Sequence, residues 1–98
     1  MEMSEEKKQK LLDEIILEQQ ISPLIPKSIF ETYIDEGVLD INNISGALIN
    51  YETDLQARVL LKTYVMYANH KRLHEFKEVY AGEYTQLQIK YFTAADIS

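Results

Sequence analysis

The chain has 98 residues, of which 46% are hydrophobic and 27% charged, and its formal net charge is −6. This size fits one folded domain, and the composition argues against a wholly disordered chain. The absence of cysteine excludes disulfides, thiolate metal sites and cysteine nucleophiles. The N-terminal residues lack the apolar run of a signal peptide, so we expect a cytoplasmic protein without a transmembrane segment.

The first predicted helix covers residues 4–20. Ser4 is a suitable N-cap residue, and apolar side chains such as Leu12 and Ile15 recur at helical spacing. Two prolines within residues 22–26 then interrupt the pattern, because residues before proline avoid helical backbone angles. The sequence therefore predicts one helix followed by a break.

A helical hairpin is predicted over residues 26–51. Its first helix would end before Gly37, and Asp40 would cap a second helix that carries an apolar stripe to Tyr51. Two helices of these lengths resemble the helix-turn-helix unit of transcription regulators. The hairpin is therefore one candidate for function.

Charge counts against that candidate. No basic residue lies between Lys27 and Arg58, so nothing in the hairpin could neutralise phosphates. Phosphate neutralisation supplies most non-specific affinity for DNA. We therefore predict no nucleic-acid binding and keep a helix-turn-helix regulator only as a disfavoured alternative.

A long central helix is predicted over residues 54–81, between a capping box at Thr53 and a stop at Gly82. The apolar pattern lapses at residues 69–72, where we expect a bend. Residues 83–92 alternate as a strand does but also show helical spacing. Helix is favoured because no second strand is available to pair with them.

Together these segments predict an all-α fold, a small four- to five-helix bundle. We expect residues 1–98 to form a single helical domain, with residues 1–5 and 93–98 loose. A metal site is one hypothesis for His70, His74 and Glu78, which are spaced four residues apart. No fourth ligand accompanies them and basic residues lie between them, so we predict solvated side chains, no metal and no cofactor.

Catalysis finds no support in the sequence. The serines fall at predicted caps, breaks or helices, and only three glycines are present, too few for a phosphate-binding loop. We predict that the protein is not an enzyme. It would act instead by binding another protein.

Two sets of side chains are candidates for that binding. Acidic residues could engage a basic partner, and tyrosines could form a partner or homodimer contact, although they also suit the rim of a small core. The acidic set is Glu31, Asp35, Glu36 and Asp40, and the tyrosine set is Tyr64, Tyr67, Tyr80 and Tyr84.

The preferred function is a small acidic interaction module, such as a regulator, inhibitor or adaptor of a bacterial, phage or plasmid system. The chain length, the acidic first helix and the stretches Gln56-Ala57-Arg58-Val59 and Lys71-Arg72-Leu73-His74 resemble bacteriocin immunity proteins. That resemblance implies a small cytoplasmic four-helix bundle. It is kept as an alternative.

Overall fold

The computed structural model describes the backbone of residues 4–97 and the side chains of residues 4–92. Within these residues the chain is helical, without strands, which confirms the all-α class. Residues 1–3 and 98, part of the termini expected to be loose, lie outside the described residues. The helices are α1 (Glu5–Glu18), α2 (Lys27–Ser45), α3 (Leu55–Asn69), α4 (Leu73–Val79) and α5 (Ala81–Ile97).

Helix α1 begins and packs as its sequence indicates. The Lys7 backbone N–H donates a hydrogen bond of 3.2 Å to the Ser4 side chain, so Ser4 is the N-cap. Leu11, Leu12 and Ile15 are completely buried. The helix stops at Glu18, two residues earlier than predicted.

The helical hairpin predicted over residues 26–51 is wrong, because α2 is one unbroken helix. Gly46 ends it with a left-handed φ of 75°, and its N–H donates to the Asn42 carbonyl at 2.9 Å. Asp40, predicted to cap a separate helix, instead lies inside α2. The helix-turn-helix unit that DNA binding would require is therefore not formed by these residues.

Gly37 serves close packing rather than helix termination. It is buried within α2, where a Cβ atom would lie 2.6 Å from Leu61 Cδ1 and 2.9 Å from Tyr64 Cδ1. Such distances are shorter than real Cβ contacts, so α3 can approach α2 this closely only because residue 37 has no side chain. Glycine inside a helix costs about 1 kcal/mol relative to alanine.

The central helix predicted over residues 54–81 is wrong as a continuous element. It breaks into α3, α4 and the start of α5, and Lys71 adopts a φ of 62° in the first break. The bend expected at residues 69–72 is therefore a full interruption. Gly82, predicted as the stop, lies in the first turn of α5.

The N-cap of α3 is Asp54, one residue beyond the predicted cap at Thr53. Its carboxylate accepts a 3.0 Å hydrogen bond from the Ala57 N–H. Residues 83–92 lie within α5, which confirms helix and rules out the strand alternative.

Helix α2 is central, with α1, α3 and α5 packed against it, while α4 contacts α3 and α5. Apolar side chains from all five helices and from the α2–α3 connection form one core. Among the described residues, no helix combines the length and the apolar character that crossing a bilayer requires. The core is made of Leu11, Leu12, Ile15, Phe30, Ile34, Ile41, Ile49, Tyr51, Ala57, Leu60, Leu61, Tyr64, Val65, Ala68, Phe76, Tyr84 and Leu87.

Candidate partner-binding site

The four acidic residues singled out in the sequence do not form one face. All lie on α2, where residues four apart share a side of the helix. Glu31 and Asp35 therefore lie on one side of the buried surface of α2, and Glu36 and Asp40 on the other. Asp35 forms an ion pair of 3.2 Å with Lys8 of α1.

The four predicted tyrosines, by contrast, come together around Phe76 of α4. The rings of Tyr64, Tyr67, Tyr80 and Tyr84 lie with centroids 5.1–5.9 Å from that of Phe76. Edge-to-face and stacked ring pairs at such distances stabilise beyond the area that they bury. We call these five side chains the Phe76 cluster.

The cluster is partly core and partly surface. Phe76, Tyr64 and Tyr84 are buried, whereas Tyr67 and Tyr80 remain partly exposed. The last two rings pack edge to face, 5.9 Å apart. Only they are accessible to a partner, and a binding role for the tyrosine set stays a prediction.

Asp40 connects the acidic set to the Phe76 cluster. It accepts a 2.8 Å hydrogen bond from the Tyr84 hydroxyl and forms a 3.0 Å ion pair with Lys77 of α4. Burial, and then the hydrogen bond to Asp40, raise the pKa of Tyr84 well above its usual value. Tyr84 therefore stays neutral, and its hydroxyl donates a hydrogen bond to Asp40 that joins α5 to α2. We call Asp40, Lys77 and Tyr84 the Asp40 junction.

Two further carboxylates lie near the cluster. Burial, then the charges of Asp40 and Glu36, raise the pKa of Tyr64. Burial raises the pKa of Tyr80, and so do its interaction and hydrogen bond with Tyr67 and the negative charge of Glu83. Within the described residues neither Glu36 nor Glu83 forms an ion pair. We call Glu36, Glu83, Tyr67 and Tyr80 the acidic-aromatic surface.

A second carboxylate–tyrosine contact, which sequence reasoning missed, joins α5 to the start of α3. Asp54 forms an ion pair of 2.8 Å with Lys90 and accepts a hydrogen bond from the Tyr91 hydroxyl. Burial raises the pKa of Asp54, but the hydrogen bonds from Lys90, Tyr91 and Ala57 outweigh it, so the net pKa is lowered. We call Asp54, Lys90 and Tyr91 the Asp54 junction.

The histidines are not arranged as their spacing suggested. His70 is the C-cap residue of α3, whereas His74 and Glu78 lie on α4, beyond the break. The continuous helix that would have aligned them is therefore missing. Among the residues that the structure describes, no three potential ligands form a metal-binding group.

Comparisons with known protein families, curated proteins and solved structures find no match to this chain.

Proposed function

We propose that the protein is an interaction module that binds a basic segment of another protein at the acidic-aromatic surface. The observation that carries this proposal is that Glu83 lies close to the partly exposed Tyr80, and Glu36 close to Tyr64, in one cluster of tyrosines around Phe76. An arginine or lysine could pair with a carboxylate and lie over a tyrosine face at the same time.

The distribution of charge supports a basic partner. Within the described residues, eight of the ten basic side chains already form ion pairs, as with Lys8, Arg58, Lys62 and Lys77. Internal pairs thus neutralise most positive charge in a chain of net charge −6. The remaining carboxylates attract a positive partner over a distance of about one Debye length, ~8 Å at physiological salt.

The test compares charge reversal at two carboxylates of α2. Glu36→Lys reverses a charge beside the Phe76 cluster, and Glu31→Lys makes the same reversal on the other side of the helix. We expect Glu36→Lys, combined with Glu83→Lys, to weaken capture of a partner from host lysate about tenfold, or 1.4 kcal/mol. Glu31→Lys should have little effect.

The affinity measurement is then repeated with the captured protein in purified form, at low and high salt. Attraction by the carboxylates predicts a loss mainly in association rate and a weaker salt dependence in the double variant. Unchanged low-salt affinity in the double variant, or an equal loss in Glu31→Lys, would contradict the proposed surface. As part of this proposal, the protein is cytoplasmic, is not an enzyme and carries no cofactor.

A further inference from the structure

The side chain of Tyr80 is held in place where α4 meets α5. Its ring stacks on that of Phe76, with centroids 5.1 Å apart and an interplanar angle of 30°. Tyr67 packs edge to face with it at 5.9 Å and forms a hydrogen bond with it. Because Phe76 covers one face of the ring, the exposed area of Tyr80 lies on the opposite face and the edges. A partner therefore meets a ring whose position is already fixed, which reduces the entropy lost on binding.

Glu83 supplies a carboxylate beside this ring. The Tyr84 N–H donates a 3.2 Å hydrogen bond to the Tyr80 carbonyl, so the chain already turns as a helix there. Residues three apart in a helical turn are neighbours. Lys77, three residues before Tyr80, is paired with Asp40, whereas within the described residues Glu83 forms no ion pair. The Glu83 carboxylate can therefore pair with a cation from a partner.

We propose that the basic residue bound at the acidic-aromatic surface is an arginine, whose guanidinium lies on the open face of Tyr80 and pairs with Glu83. This inference rests on the proposed function and narrows its partner. A guanidinium is planar and weakly hydrated, so it stacks on an aromatic ring while the N–H groups at its edge donate to a carboxylate. A lysine ammonium is compact and strongly hydrated, so it gains less from the ring.

The Asp54 junction shows where a lysine suits such a setting. The Lys90 ammonium lies 5.6 Å from the centroid of the Tyr91 ring and pairs with Asp54. The Asp54 carboxylate there is buried, with 6% of its side chain exposed, and Lys90 belongs to the same chain, so no partner has to be desolvated on binding. At the partly exposed Tyr80 an incoming ammonium keeps more of its water, and the weaker hydration of the guanidinium decides between the two.

The test titrates the isotope-labelled full chain with the N-acetyl amides of arginine, lysine and citrulline, and follows the Glu83 amide and the Tyr80 ring by NMR. Citrulline has nearly the shape of arginine without its charge. For the arginine amide we expect saturable shifts with half-saturation at about 10 mM, as suits one ion pair and one stacking contact. The lysine amide should bind about fivefold more weakly. The citrulline amide should give no saturable shift.

Two variants remove the contacts one at a time. Glu83→Gln should weaken both cationic probes, whereas Tyr80→Leu should weaken the arginine amide about fivefold and abolish its advantage over lysine. Glu31→Gln is the matched control, because it removes one charge on the other side of α2 and should leave both affinities unchanged. Circular dichroism confirms that each variant folds, and Glu83→Gln leaves the Phe76 cluster complete.

The outcomes separate this inference from the proposed function. Equal affinity for arginine and lysine at Tyr80 and Glu83 would overturn the arginine preference and leave a surface that binds basic residues. Absence of saturable shifts with either cation would contradict that surface and this inference together. An arginine preference that survives Tyr80→Leu would overturn the role of the ring.

Discussion

Helices α1 and α5 both pack against α2, but by different means. Helix α1 is attached through three completely buried apolar side chains, Leu11, Leu12 and Ile15. Helix α5 buries Leu87 and Tyr84 but is also attached by polar contacts. The Tyr84 hydroxyl bonds to Asp40 of α2, and Lys90 and Tyr91 bind Asp54 at the start of α3.

The difference determines how each helix depends on conditions. Burial of apolar area is non-directional and does not depend on the ionisation of a side chain. Hydrogen bonds to a carboxylate depend on its ionisation and on correct geometry, and a partner left unpaired in the interior is costly. Helix α5 should therefore respond to pH and to single-atom changes, whereas α1 should respond to loss of side-chain volume.

The largest effect is expected from Leu12→Ala in α1. Removal of a completely buried leucine side chain loses transfer free energy and leaves a cavity, which should lower the free energy of unfolding by about 3.5 kcal/mol. Urea denaturation measures the change. Leu17→Ala is the control, because Leu17 on the same helix is 80% exposed. A similar loss in both variants would contradict the apolar attachment of α1.

Asp54→Ala should be the next most damaging change. It removes the N-cap of α3 together with the partners of Lys90 and Tyr91, for an expected loss of about 2.5 kcal/mol in urea denaturation. Asp35→Ala, at an exposed carboxylate paired with Lys8, is the control and should cost much less. Equal losses in the two variants would contradict a special contribution of the Asp54 junction to stability.

Acidification should remove part of the same contribution. The folded pKa of Asp54 lies below its unfolded value of about 3.9. The stabilisation is therefore complete above that pH and is lost as the pH falls through the folded pKa. Asp54→Asn retains a cap but cannot ionise, so its stability should vary less with acid pH than that of the unmodified protein. Parallel curves from acid titrations followed by circular dichroism would contradict this role.

Tyr84→Phe probes the Asp40 junction by deletion of one hydroxyl. The ring stays in the Phe76 cluster, while Asp40 loses its 2.8 Å donor, so we expect a loss of about 1 kcal/mol. Hydrogen exchange should rise in α5 more than in α1. Tyr33 of α2 is also partly exposed and packs on Phe30, but its hydroxyl bonds to none of the described residues, so Tyr33→Phe is a control that should be near neutral.

The smallest effect is expected at the ion pairs of α1. Glu18→Gln removes one partner of Lys62, which keeps Glu14 3.0 Å away. Partly exposed ion pairs contribute little, so the free energy of unfolding should change by less than about 0.5 kcal/mol and less still at high salt. A loss as large as that of Asp54→Ala would show that α1 and α5 are attached in the same way.

The candidate site was only partly predictable from the sequence. The excess of tyrosine in the second half led to all four rings of the Phe76 cluster, because large amphipathic rings in a small protein gather at the core rim. The central position of Phe76 could not be predicted from the sequence, because it depends on how three helices pack together.

What the sequence by itself determined is local. The Ser4 cap, the helical spacing of apolar residues and the helix at residues 83–92 follow from interactions within a few positions along the chain. Tertiary packing decided the rest. Gly37 continues α2 rather than ending it because α3 packs directly on its backbone, and Asp40 and Asp54 bind α5 because the fold brings distant residues within hydrogen-bond reach. Such contacts join positions about 24 to 44 residues apart, and no periodicity along the chain encodes them.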